Sequence, residues 1–374
     1  MTCTKTTQRF TRNVLAASIA AIGLAAAPLA WAEGEIELGL GNVSSGTGAF
    51  GNYNGLNESG VYLIGNVQMS RRGEGSDTSY LEIEGRNLGL KSRSLSIGGG
   101  QQGNFGLKLE YTEIPKIESD SYQTPYLGAG TTRLTQPAGV VDGATSAAIT
   151  GLAANMKPYE VGTDRKILGL GLTKNLPAGW DLAFNIKRDL KDGTKLRGAY
   201  IQTGTGGSRT IVVVPEVIDF TTDQVDAVAR YDGGKLQLQF GYYGSFFSNA
   251  NKAMTWDNLF TGTGNATGSY HLPPDNQFHQ INASGGYVVS QATRVTGNLS
   301  FGRMTQNESF VPYSTTGTLP ATASLNGKVD TTHASFKLTS RLMPTLNLAA
   351  GYKYDERDNK TPVNQYDYIT GDRD

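Results

Sequence analysis

The stretch KLQLQFGYYGSFF, Lys235 to Phe247, places Leu236, Leu238, Phe240, Tyr242 and Phe246 on one parity and Gln237, Gln239, Tyr243 and Ser245 on the other. Successive side chains of an extended strand point to opposite faces, so the alternation describes a strand with one apolar and one polar face. The split returns along the chain. Phe105, Leu107, Leu109 and Tyr111 oppose Lys108, Glu110 and Thr112; Trp180, Leu182, Phe184 and Ile186 oppose Asp181, Asn185 and Lys187. Val295, Leu299 and Phe301 oppose Arg294, Thr296, Asn298 and Ser300, and Leu346, Leu348, Tyr352 and Tyr354 oppose Asn347, Lys353 and Asp355. About 13 such strands are predicted, close to the ~9–11 residues a tilted strand needs to cross a bilayer. Their starts fall near Glu35, Gly60, Thr78, Arg93, Asn104, Arg165, Trp180, Asp223, Lys235, Gln277, Arg294, Thr331 and Thr345. No helical periodicity competes.

The connections sort by parity. Even-to-odd links are short and turn-rich, as at Gln101-Gln102-Gly103, Leu176-Pro177-Ala178-Gly179, Asp232-Gly233-Gly234 and near Ser290 and Met343. Odd-to-even links are mostly long and polar: Ser44 to Ser59, Pro115 to Asp164, Lys191 to Thr222, Phe247 to Asn276 and Met304 to Asp330. Short periplasmic turns with long external loops are the pattern of outer-membrane barrels. Aromatics fit one register, with Phe105, Trp180, Tyr231 and Tyr287 at periplasmic strand ends and Tyr111, Tyr242, Phe301 and Tyr354 at external ends. The fold class expected is all-β, a transmembrane antiparallel β-barrel. The long loops, Pro115 to Asp164 and Phe247 to Asn276 above all, are rich in Gly, Thr, Ser and Pro without apolar periodicity, and are expected to be mobile and open to proteases.

The N-terminus reads as a targeting segment. Lys5, Arg9 and Arg12 precede an apolar run from Val14 to Ala27, and Ala30-Trp31-Ala32 has the small-x-small form of a cleavage site. Residues 1–32 are therefore expected to be a secretory signal peptide, and 33–374 the barrel. Past the signal, no apolar stretch approaches the roughly 20 residues of a transmembrane helix, so a membrane assignment rests on strands. The 48 Gly, 18 Tyr and 13 Phe among 374 residues suit such strands and their aromatic ends. The whole chain has 33 basic and 33 acidic residues; without the three basic residues of the signal it is mildly acidic, which gives no electrostatic case for nucleic acid. Its one cysteine, Cys3, lies in the signal, so the mature chain is expected to hold no disulfide, no thiolate metal site and no covalent haem.

No phosphate loop, His-Glu-x-x-His, Gly-x-Ser-x-Gly or dinucleotide fingerprint is present, and no enzymatic activity is expected. His271, His279 and His333 lack any ligand spacing, so no metal or cofactor site of the chain's own is expected. The charges within strands carry the functional reading. Glu82, Glu84, Arg86, Lys108, Glu110, Asp181, Lys187, Asp226, Arg230, His333, Lys337 and Lys353 take the face opposite the apolar one. A Lys or Arg facing lipid near the midplane costs ~2–4 kcal/mol, so these residues face a wet lumen or a polar partner.

Several ordered runs resemble the decahaem-associated outer membrane proteins of the MtrB/PioB family. They are GNYNGLN from Gly51, LGLKSRSL from Leu88, GQQG from Gly100, TTDQVD from Thr221, LQL from Leu236 leading to GYYGSFF from Gly241, PPDNQFHQ from Pro273, GRMTQ from Gly302 and YDERDNKTP from Tyr354. The resemblance implies an outer-membrane barrel that sheathes a periplasmic multihaem c-type cytochrome and carries electrons outward or inward, with an extracellular multihaem cytochrome as a further partner. The haem would belong to those partners. A general porin or solute channel shares the composition and topology and is the alternative; an outer-membrane hydrolase would need a clustered nucleophile and base, which the sequence lacks. The chain departs from the resemblance in two ways. It lacks the Cys-x-x-Cys pair some members carry near the mature N-terminus, and it is about half the family's usual length, ending at Gly371-Asp372-Arg373-Asp374 in an expected external loop. With strands ~4.8 Å apart and tilted ~40°, 13 strands close to a diameter of ~26 Å, whereas twice as many reach ~50 Å, so this chain is expected to be half of a larger barrel.

Overall fold

The computed structural model describes residues 33–202, 209–261, 266–311 and 322–364. The expected signal peptide lies outside these residues. In chain order the strands are β1 (Glu33–Val43), β2 (Gly60–Arg72), β3 (Ser79–Arg86), β4 (Ser94–Gln101), β5 (Phe105–Ser119), the short β6 (Gln123–Thr124), β7 (Arg133–Leu134) and β8 (Lys157–Pro158), then β9 (Val161–Leu176), β10 (Trp180–Gln202), β11 (Arg209–Asp232), β12 (Leu236–Asn249), the short β13 (Ala253–Asp257) and β14 (Thr267–His271), and finally β15 (Asn276–Ser290), β16 (Thr293–Gln306), β17 (Gly327–Met343) and β18 (Leu346–Asn359). Thirteen of these are long. No helix among the described residues is long and apolar enough to cross a membrane.

The chain divides into two compact units, one of residues up to Lys116 with Arg165–Lys174, the other of Ile117–Asp164 with Asn175 onward. In the first, β1, β2, β3, β4, β5 and β9 lie side by side in chain order. In the second, β10, β11, β12, β15, β16, β17 and β18 do the same, each antiparallel to the next. Such a meander follows from two-faced strands joined by tight turns. Gly103 and Gly234 hold positive φ (74° and 77°) in the β4–β5 and β11–β12 turns, where a side chain would be strained.

Register carries each parity from strand to strand. In the second unit one row reads Leu182, Ala229, Phe240, Ala283, Leu299, Ala334, Tyr354. Large and small residues alternate along it, so each bulky side chain packs over its neighbours' alanines. The row beside it reads Phe184, Ala227, Tyr242, Ile281, Phe301, Thr332, Glu356 and marks where the apolar face turns polar. Leu182, Phe184, Phe240, Ile281, Leu299 and Phe301 are all exposed in the isolated chain. A contiguous apolar face of this extent is incompatible with water and matches lipid. From Leu236 to Phe246 it runs ten residue steps, about 33 Å along the strand and ~25 Å along the membrane normal at a ~40° tilt, the height of the lipid band of outer-membrane barrels. Trp180 and Tyr231 stack at its turn end, ring centroids 5.1 Å apart.

Two expectations about loops are corrected. The described residues of the region Lys191 to Thr222 form strands: β10 and β11 continue pairing from Leu190 with Thr221 to Gln202 with Arg209. At 23 and 24 residues they are twice as long as the bilayer requires, so about half of each projects beyond it. Likewise β9 and β17 begin earlier than the alternation suggested, at Val161 and Gly327.

The described parts of the loops Pro115 to Asp164 and Phe247 to Asn276 are not loose either. Within the second unit they fold against the projecting hairpin into a lobe with its own core of Tyr126, Leu134, Val140, Ile149, Val214, Met254, Trp256 and Leu272. Here β13 pairs antiparallel with β14 and parallel with β7, bringing Trp256 beside Leu134. The Tyr126 hydroxyl donates to the Asp257 carbonyl at 3.0 Å, and Gln136 N–H donates to the Asp257 carboxylate at 2.7 Å. The lobe also holds a buried carboxylate: Glu216 receives Lys195 Nζ at 2.9 Å and Arg197 Nη1 at 2.7 Å, with the Arg197 guanidinium 4.1 Å from the centre of the Tyr270 ring. Apolar residues drawn from segments more than a hundred positions apart give no local period, yet they close a core.

Candidate functional site

Parity that faces the apolar side toward lipid puts every polar row on the other face. In the first unit one row runs Glu35, Gln68, Glu84, Ser96, Glu110 and the next Glu33, Ser70, Glu82, Gly98, Lys108. All five candidates of this unit share that face, and each has an ionic neighbour. Glu82 takes Arg72 at 3.3 Å, Arg86 takes Glu84 at 2.6 Å, and Lys108 takes Glu110 at 2.6 Å. The exposed Glu37 accepts from Asn66 Nδ2 at 2.8 Å. This surface is rich in carboxylates, with Glu33, Glu35 and Glu37 on β1 adding to those of β3 and β5.

The second unit gathers the other seven candidates on its own polar face. One row reads Asp181, Arg230, Gln239, Ser284, Asn298, Ser335, Lys353; the next toward the loops reads Ala183, Val228, Gly241, Asn282, Ser300, His333, Asp355. Lys187 and Asp226 lie further along, where Asp226 accepts weakly from Asn185 Nδ2 at 3.4 Å. Lys353 Nζ lies 2.8 Å from Asp355, whose other oxygen meets His333 Nδ1. His333 is thus a hydrogen-bond partner of a carboxylate on the polar face, not a member of a ligand set. The other histidines lie elsewhere: His279 takes the apolar parity and bonds the Tyr242 hydroxyl at 2.9 Å, and His271 ends β14 in the lobe. No group of three potential ligands occurs among the described residues.

Toward the short-turn end, this face opens into a recess lined by Asp181, Arg230, Gln237, Gln239, Arg294 and Lys337. Arg230 Nε donates to Gln239 Oε1 at 3.1 Å and Arg294 Nη2 to Gln237 Oε1 at 2.7 Å. Arg294, Gln237 and Gln239 were not among the candidates, although the same parity rule places them; choosing residues by charge and strand order missed the amides that hold the guanidinium groups. The chemistry available is hydrogen bonding and ionic contact.

A meander of strands with a lipid-facing band on one side, charged rows on the other, short turns at one end and a folded lobe at the other defines an outer-membrane β-barrel protein of porin type. The family model described as outer membrane beta-barrel porin, MtrB/PioB, matches residues 44–373. The chain belongs to the MtrB/PioB family and is a protein of the cell outer membrane. It is 28% identical over 291 residues to Outer membrane protein MtrB of Shewanella baltica (strain OS185), an alignment covering 77% of this chain and 41% of that protein. It thus spans less than half the length of that relative. Among solved structures, OmpT of Vibrio cholerae is 11% identical with a TM-score of 0.29 and 87% of each chain covered, and the copper transporter OprC is 9% identical with a TM-score of 0.34, covering 87% of this chain and 57% of that one. Likeness at that level carries no weight for function.

Proposed function

We propose that the chain forms barrel wall around a periplasmic multihaem c-type cytochrome, so that the partner's haems carry electrons across the outer membrane, and that it catalyses no reaction itself. The observation that supports this best is the polar face: it stays charged through the depth of the lipid band, from Lys337 and Arg230 near the short turns to Asp226 and Lys187 near the loops. A lining of fixed ladders of charge and amide suits a folded, polar protein surface. Residues 33–374 contain no cysteine, so a c-type haem has no attachment point on them and the cofactor belongs to the partner. A hydrocarbon layer ~30 Å thick must be bridged by closely spaced haems, and the barrel supplies insulation and position. A multihaem cytochrome on the cell surface would meet the lobe formed by the external loops.

The family's description as a porin favours a second reading, an open solute channel. Purification of the native protein from outer membranes, followed by a haem stain, separates the two. Co-purification of a multihaem cytochrome is expected; a haem-free protein that conducts ions steadily in planar bilayers would overturn the proposal in favour of the channel.

A further inference from the structure

Three cations, Arg230, Arg294 and Lys337, gather around the recess of the second unit with no carboxylate bonded to them. Lys353 and His333 share Asp355. Arg230 and Arg294 have only neutral amide oxygens as hydrogen-bond partners, Gln239 and Gln237, and Lys337 lines the recess beside Thr296. Among the described residues no carboxylate pairs with any of the three. Asp181 is opposite Arg230 in register, but Arg230 turns to Gln239 instead. Asp232 is committed to its turn, accepting from Gly234 N–H at 3.0 Å.

The floor is built to hold one arm flat. Arg294 on β16 reaches across β15 to Gln237 on β12, passing over Gly286. A Cβ at Gly286 would sit 3.1 Å from Arg294 Nη2, tighter than an ordinary contact, so glycine leaves the arm its path. The guanidinium is thereby fixed with N–H groups to spare. From β11 to β17 is four strand steps, about 19 Å, which is too broad for one small ion and suits several carboxylates on a protein surface.

We infer that this recess is the docking point for a carboxylate-bearing surface of the periplasmic partner. The inference rests on the sheath reading. Charge complementarity selects the occupant: spare donors on fixed cations form their strongest bonds with carboxylates, and those bonds are about twice as strong as neutral ones. The recess lies at the short-turn, periplasmic end, where a partner entering from the periplasm meets it first. Attraction of this kind speeds encounter and weakens with salt.

The test uses the full-length protein in outer membranes and measures cytochrome retention against ionic strength. It compares wild type, the triple variant Arg230→Gln/Arg294→Gln/Lys337→Gln and the single variant Lys337→Glu. The triple variant should hold the cytochrome roughly 10- to 100-fold more weakly at low salt, with a flatter salt dependence. Lys337→Glu should weaken it in the same direction, and because the Lys337 side chain lines the recess without an ion pair to any described residue, this variant decides the matter even if the triple variant fails to fold. Retention by Lys337→Glu equal to wild type at every salt, or such retention by a folded triple variant, would overturn the inference and leave the sheath standing. A wild-type protein that retains no haem protein would overturn both.

Discussion

At the scale of single residues, neighbours one position apart have opposite fates. Phe240 is mid-band on the lipid face, between Ala229 and Ala283, while Gln239 lies on the polar face beneath Arg230. Phe240→Arg should cost ~2–4 kcal/mol and lower the yield of folded, heat-modifiable barrel. Gln239→Arg should fold at near wild-type yield. Equal loss from both would mean that the register is wrong. This level was the most legible in the sequence, because a strand between lipid and a wet interior must alternate and a one-residue slip would reverse every side chain. Function was less legible. Arg294 was visibly on the polar parity, but nothing in the local sequence shows that Gly286 clears its path to Gln237, a residue 57 positions earlier.

At the scale of elements, the lobe on the projecting β10–β11 hairpin was the part hidden from the sequence. Its core joins Leu134 to Trp256 across a parallel pairing that no hairpin rule anticipates. Turn residues read as mobility where they are the connections of a small core. Trp256 is 1% exposed, and Trp256→Ala should cost the lobe about 3–5 kcal/mol. Protease added to intact cells should spare 117–164 and 250–275 in the wild type and cut them in the variant; rapid cutting of both would show that the lobe does not form. The lobe's loop 250–275 is also tied to Glu308 by Lys252, whose ammonium holds the Glu308 carboxyl below its ordinary value near 4.5. A depressed carboxylate stabilises the fold above its unfolded pKa and loses that contribution as pH falls through the folded value. Acidification below about pH 4.5 should therefore loosen this tie, and Glu308→Gln should show the loosened state already at pH 7. Hydrogen exchange of the loop amides measures both, and an acid response unchanged in Glu308→Gln would assign the effect to other groups.

At the scale of the whole molecule, family and physics converge on a wall whose lipid face is uniform and whose polar face is varied. The alignment with the Shewanella relative covers 41% of that protein, and the described residues of this chain hold 13 long strands. The absence of cysteine from residues 33–374 makes introduced thiols clean reporters of the barrel interior. Asn298 takes the polar face and Leu299, its neighbour on β16, the apolar one. The direct measurement is labelling of Asn298→Cys and Leu299→Cys by a water-soluble maleimide in outer membranes, with and without the co-purifying cytochrome. If the barrel sheathes that protein, Asn298→Cys stays unlabelled while it is present and reacts when it is absent, and Leu299→Cys, held in lipid, reacts in neither case. Labelling of Asn298→Cys at the same rate in both membranes would contradict the sheath and leave an open channel.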